Sequence, residues 1–127
     1  ASVVSDSTVG GERRLVLHVA AAAKAEVINM RSSGMRVLRA SIDGRAIDPS
    51  RYRGGFSSWQ LDYNGPPPTG ITLGLTIPAG SGVSLDLMSR APELPTLPNV
   101  RIPSRPDDIV TIQTGDITIR HREVRIP

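Results

Sequence analysis

The segment Ile71-Thr72-Leu73-Gly74-Leu75-Thr76-Ile77, followed by Pro78-Ala79-Gly80-Ser81-Gly82 and then Val83-Ser84-Leu85-Asp86-Leu87-Met88, decides the fold class of this chain. Ile71, Leu73, Leu75 and Ile77 fall on one side of an extended backbone, and Thr72, Gly74 and Thr76 fall on the other. Val83, Leu85 and Leu87 repeat the pattern. Alternation of period two marks a strand that buries one face. With a Gly- and Pro-containing turn between them, the two runs predict an antiparallel hairpin.

The same alternation recurs on the N-terminal side. Leu15, Leu17 and Val19 share a face within Arg14–Ala20, and the Ala21-Ala22-Ala23-Lys24 run that follows is too short for a stable helix, so it reads as a strand end or a turn. Glu26–Arg31 predicts another strand, closed by Ser32-Ser33-Gly34. Val37–Ile42 leads into Asp43-Gly44 and out through Arg45-Ala46-Ile47, and Asp-Gly supplies the positive φ angles of a two-residue hairpin turn. After a loop from Asp48 to Ser58, Trp59–Tyr63 alternates large apolar with polar residues until Asn64-Gly65-Pro66-Pro67-Pro68 stops it.

Toward the C-terminus, five prolines stand among the eighteen residues Ala91–Asp108, which predicts an extended, Pro-rich connector. Two short runs follow, Ile109-Val110-Thr111-Ile112 and Ile117-Thr118-Ile119 with Val124 and Ile126, joined around Thr114-Gly115-Asp116. The pattern predicts an all-β fold: an antiparallel β-sandwich of about seven to nine strands, immunoglobulin-like or jelly-roll-like.

Composition agrees with one such domain over 1–127. At 127 residues the chain has the size of a single domain, and 39% hydrophobic residues is a normal globular share. Aromatics are only 3%, so the core must come from Leu, Ile, Val, Ala and Met, while 12 Gly and 11 Pro spread between apolar runs disfavour long helices. No stretch reaches the ~18 apolar residues of a membrane span, and Ala1–Asp6 is not a signal sequence. A chain that opens without Met fits a processed protein and equally a fragment of a longer chain, and the fragment is the expectation.

Fifteen Lys and Arg against twelve Asp and Glu leave a net charge of +3, spread from Arg13 to Arg125. Without a dense basic patch interleaved with aromatics, nucleic acid is not the expected partner. The absence of Cys excludes disulfides and thiolate metal sites but leaves the compartment open.

Catalytic and metal motifs are missing. His18 and His121 lie about a hundred residues apart, each within a strand and without a ligand partner at motif spacing, so the expectation is no metal site. Asp107-Asp108 lacks the alternating oxygens and turn Gly of a calcium loop. No Gly-x-Ser-x-Gly elbow accompanies the serines, and the Gly pairs do not open helices between strands, so the expectation is no catalytic residue and no phosphate cradle. One stretch is a candidate binding surface. Arg51, Tyr52, Arg53, Trp59 and Tyr63 gather, with Phe56, all four aromatic side chains of the chain. Against that, a lone Trp in a chain so poor in aromatics suits the centre of the core.

Ile42-Asp43-Gly44-Arg45, Tyr52-Arg53, the run Trp59–Pro68 with Gly70, Leu94–Pro98 and Arg105-Pro106 together carry a resemblance over about residues 35–127. The pattern resembles the C-terminal extracytoplasmic domain of bacterial membrane-bound zinc exopeptidases of metallopeptidase family twenty-eight, similar to the endoplasmic-reticulum metallopeptidase. In that architecture an N-terminal aminopeptidase domain holds two zinc ions, transmembrane helices follow, and a β-rich domain ends the chain. The His-x-Asp and paired Glu segments that bind zinc have no counterpart here, so no functional residue carries over and zinc is expected only in the parent peptidase domain.

The resemblance implies a non-catalytic accessory domain of a membrane-anchored zinc aminopeptidase, extracytoplasmic, stabilising the enzyme or shaping substrate access. Its partners would be the peptidase and transmembrane portions of the same polypeptide, without insertion of the domain itself into the membrane. The alternatives are a free-standing glycan- or peptide-binding module of the cell envelope and a structural or adhesion-type module.

Overall fold

The computed structural model describes residues 1–54, 58–94, 96–103, 106–108 and 117–127. They form ten strands: β1 (Ser2–Val9), β2 (Glu12–Val19), β3 (Val27–Ser33), β4 (Arg39–Ile42), β5 (Arg45–Ala46), β6 (Arg53–Gly54), β7 (Ser58–Asn64), β8 (Ile71–Pro78), β9 (Val83–Ala91) and β10 (Thr118–Ile126). A 3₁₀ turn, Pro49–Arg51, lies between β5 and β6. Among these strands, β5 and β6 are two-residue pieces, leaving eight of four residues or more. One sheet runs β1-β2-β8-β4-β5 and the other β10-β9-β3-β7-β6, with every pairing antiparallel. The fold is an all-β sandwich.

Burial follows the alternation in the sequence. Leu15, Leu17 and Val19 of β2, Ile71, Leu73, Leu75 and Ile77 of β8, and Val83, Leu85 and Leu87 of β9 are all buried, joined by Ile28 and Met30 of β3 and Leu61 of β7. Each such side chain, moved out of water, contributes roughly 1.5–3 kcal/mol before its entropy cost. The shared inward face is what holds the two sheets together.

The expected β8–β9 hairpin does not form. β8 pairs with β2 and β4, whereas β9 pairs with β3 and β10, so the turn at Ala79–Gly82 carries the chain from one sheet to the other. Alternation reports only that each strand buries one face. Two strands that face each other across the interior bury apolar sets just as two hydrogen-bonded neighbours do, so the pattern is the same in both arrangements. The turn is anchored elsewhere: Ala79 N–H donates to Gly11 O at 2.9 Å, and Arg13 Nη1 donates to Ser81 O at 2.9 Å.

The hairpin read at Asp43-Gly44 does form. Asp43 (φ 49°) and Gly44 (φ 77°) close β4 onto β5 with Ile42 opposite Arg45. Ala23 and Lys24 lie in a turn in which Ala25 N–H donates to Ala22 O at 3.1 Å. β1 has no counterpart in the sequence reading. It pairs with β2 around Gly10 and Gly11, both at positive φ, and a bulge between Val3 and Ser5 interrupts its alternation. β6 falls within the stretch read as a loop.

Beyond β9, Pro92–Asp108 holds no strand among its described residues, only a bridge between Leu97 and Val100. The runs Ile109–Ile112 and Thr114–Asp116 lie outside the described residues. No described helix is long and apolar enough to cross a membrane.

Candidate functional site

The residues singled out around Trp59 divide between the core and a cleft. Trp59, on the inward face of β7, is 1% exposed. It lies opposite Ser32 of β3, whose side chain is also buried. Tyr52, half-buried at the end of the 3₁₀ turn, holds its ring 6.0 Å from that of Trp59 at an interplanar angle of 54°, a tilted aromatic pair. Trp59 therefore has no face to offer a ligand, which corrects its place in the candidate surface. The cause is packing: the sole indole fills the space between the sheets that smaller aliphatic side chains leave. Arg53 supplies backbone to β6, and its side chain and Phe56 lie outside what is described.

Arg51 and Tyr63 remain, and the fold brings them to one place. They line an open cleft of about 810 Å³ bounded by the β4–β5 hairpin, the 3₁₀ turn and β7. Ile42, Ile47 and Leu61 give it an apolar floor. Asp43, Asp48, Asp62 and Arg45 complete the polar wall. Of these further residues, Asp43, Asp48 and Asp62 stood in a turn, a loop or at a polar position of a strand in the sequence pattern, where nothing distinguishes a cleft wall from an ordinary surface.

The carboxylates of the cleft already hold the backbone in place. Asp43 Oδ1 accepts from Thr72 N–H at 2.8 Å, while Asp43 N–H donates to Thr72 O at 2.8 Å, fastening the hairpin tip to β8. Asp48 Oδ1 accepts from Ser50 N–H at 2.8 Å and caps the 3₁₀ turn. That hydrogen bond is the main cause that holds the Asp48 carboxyl below its ordinary pKa. Asp62 accepts from Asn29 Nδ2 across the β3–β7 pair. The guanidinium groups of Arg45 and Arg51 and the phenol of Tyr63 make no hydrogen bond within the described residues, so they are the groups with donors to spare.

Among its described lining residues the cleft holds no His, Cys or Ser, hence no serine or cysteine nucleophile with a histidine base. Among the described residues no group of three or more His, Asp or Glu is placed to hold a metal ion. His18 lies on β2 and His121 on β10, where its Nε2 sits 3.1 Å from Asp86 Oδ1. Asp107 and Asp108 are exposed in a turn.

A second feature concerns the sheet edges. All eight residues of β1 are exposed, although the strand is paired along its length with β2. Val3 (49%), Val4 (62%) and Val9 (60%) stand in solvent there, as does Ile119 (60%) on β10, the edge of the other sheet. Comparison of the chain with protein-family models, with curated proteins and with solved structures returned no match.

Proposed function

We propose that this chain is a non-catalytic accessory domain that works by docking, through its terminal edge strands, against other portions of the polypeptide it belongs to, a membrane-anchored zinc aminopeptidase. The single observation that carries the docking part is β1, an eight-residue strand with every residue exposed and three valines in water. A strand that the described residues cover on neither face, and whose outer edge pairs with no described strand, is suited to be covered by something else. The peptidase context rests on the Trp59–Pro68 resemblance and its flanking motifs, and with it come the extracytoplasmic location and zinc held only in the catalytic portion.

The second reading, a glycan- or peptide-binding module, is favoured by the cleft of Arg45, Arg51 and Tyr63, which pairs free donors with an apolar floor. The coding sequence on either side of this chain separates the two. An upstream two-zinc peptidase segment with membrane spans is the expected result. A reading frame that holds this domain alone would remove the accessory reading.

A further inference from the structure

A smaller cavity, of about 210 Å³, opens where the Ala20–Ala22 segment passes the inner side of β10. Its floor is apolar, formed by Val19, Ile28 and Leu87 from the core. Its rim holds Met88 and Ser89 of β9 and Arg120, His121 and Arg122 of β10. The register places Arg120 opposite Ser89 and Arg122 opposite the buried Leu87, so both arginines project from the inward-facing side of the strand. Residues two apart on a strand stand about 7 Å apart, close enough for both guanidiniums to reach one ligand group.

Among the described residues no acidic side chain lines this cavity. The nearby carboxylates each have a cationic or imidazole partner: Asp86 of β9 pairs with His121 at 3.1 Å, Glu123 of β10 with Arg125 at 2.6 Å, and Glu93, just past β9, with Lys24 at 3.0 Å. Asp86 and Glu123 also occupy the opposite face of the sheet, by the alternation of their strands. Two arginines, both exposed on β10, thus border a pocket with no carboxylate among its described lining residues.

We infer that the Arg120–Arg122 cavity binds an oxyanionic end group, a carboxylate or a phosphate, carried on a short aliphatic body. Guanidinium groups match the geometry of both anions through paired N–H donors. The apolar floor takes the aliphatic part, and the volume, below the roughly 300–1,000 Å³ of drug-sized pockets, admits one small group rather than a polymer.

The test is a titration of the whole chain followed by amide chemical shifts, with butyrate, inorganic phosphate and butyramide as probes. Saturable shifts at Ala21, Ala22, Ser89 and Arg122 with butyrate or phosphate, and none with butyramide, are expected. Whichever anion saturates at lower concentration identifies the headgroup. Arg122→Gln and Arg120→Gln should each weaken binding by about tenfold, the loss of one charge-assisted hydrogen bond. Arg125→Gln, on the other face of β10 and paired with Glu123, should leave binding unchanged. Equal shifts with butyramide, equal loss in the Arg125 variant, or no saturable response to either anion would each overturn the inference.

Discussion

Tyr52 leans its ring over Trp59, 6.0 Å away and tilted by 54°, and so closes the sandwich interior above the only indole in the chain. Beneath that lid, Trp59 Nε1 and the Oγ of the opposing Ser32 are both buried with no hydrogen-bond partner among the described residues. Trp59→Ala should therefore cost about 3–5 kcal/mol, a large part of the ~5–15 kcal/mol that holds a domain together. The melting temperature reads the loss. Native emission should be blue-shifted, and Tyr52→Ala should move it to the red while leaving the fold intact. Water-like emission from the wild type would place the indole outside the core.

Gly70 differs from the other turn glycines in what surrounds it. Its φ is +82°, and a Cβ there would overlap Val19 O and the Cα of Ala20. Gly80 has a similar φ of +77° but open space around it. Gly80→Ala should cost only about 1 kcal/mol of backbone strain. Gly70→Ala adds a backbone clash that no rotamer relieves and should cost measurably more by chemical denaturation. Equal costs would mean that β2 and the 67–70 turn separate freely.

How far the sequence carried is visible in particular residues. Leu15, Leu17, Leu73, Leu75, Leu85 and Leu87 declared their burial through alternation, and Asp43-Gly44 declared a hairpin through its φ requirement. The separation of β8 from β9 was not legible, because alternation is blind to whether an apolar partner lies beside a strand or across from it. β1 was not legible either, since Ser2, Ser5, Asp6, Ser7 and Thr8 carry no apolar face and the bulge at Val3–Ser5 breaks the period. Of the candidate site, Arg51 and Tyr63 were named, whereas Asp43, Asp48 and Arg45 join them only through the return of the β4–β5 hairpin beside β7.

Asp6 and Arg13 link β1 to β2 through two hydrogen bonds, 2.9 Å from Nε to Oδ1 and 2.5 Å from Nη2 to Oδ2. The bond from Arg13 is the main cause that holds the Asp6 carboxyl below its ordinary pKa of 3.8. A carboxyl depressed in the folded state contributes stability that is fully present above its unfolded value and is lost as pH falls through the folded one. Hydrogen exchange of the β1 amides should therefore accelerate as pH drops below about 4. In Asp6→Asn that acid-dependent step should vanish. A β1 whose protection is the same at pH 3 and pH 6, after correction for intrinsic exchange, would rule out the link.

No group of three or more His, Asp or Glu placed to hold a metal ion stands among the described residues, and this motivates a chemical expectation for the chain by itself. Dialysed protein should hold no stoichiometric zinc and should release nothing from an aminoacyl reporter substrate. Metal analysis and the peptidase assay check it. One zinc per chain, or turnover above a blank, would reveal a site assembled in a way these residues do not indicate.

The sharpest consequence of the docking proposal falls on β1. It pairs on one side with β2, and its outer backbone edge has no partner strand among the described residues. Its one acidic side chain is tied inward to Arg13, so it lacks the outward Lys or Pro with which natural edges are usually blunted. With its intended cover missing, the edge should pair with whatever edge is present, including that of a second copy. The chain alone should therefore associate as concentration rises in sedimentation velocity. Val4→Lys places a charge on this edge at a residue 62% exposed, where stability should change by no more than about 0.5 kcal/mol. The variant should stay monomeric at concentrations where the wild type associates, and Ile119→Lys on β10 tests the other sheet edge in the same way. A wild type that remains monomeric throughout, or a Val4 variant that associates as readily, would count against β1 as the docking edge.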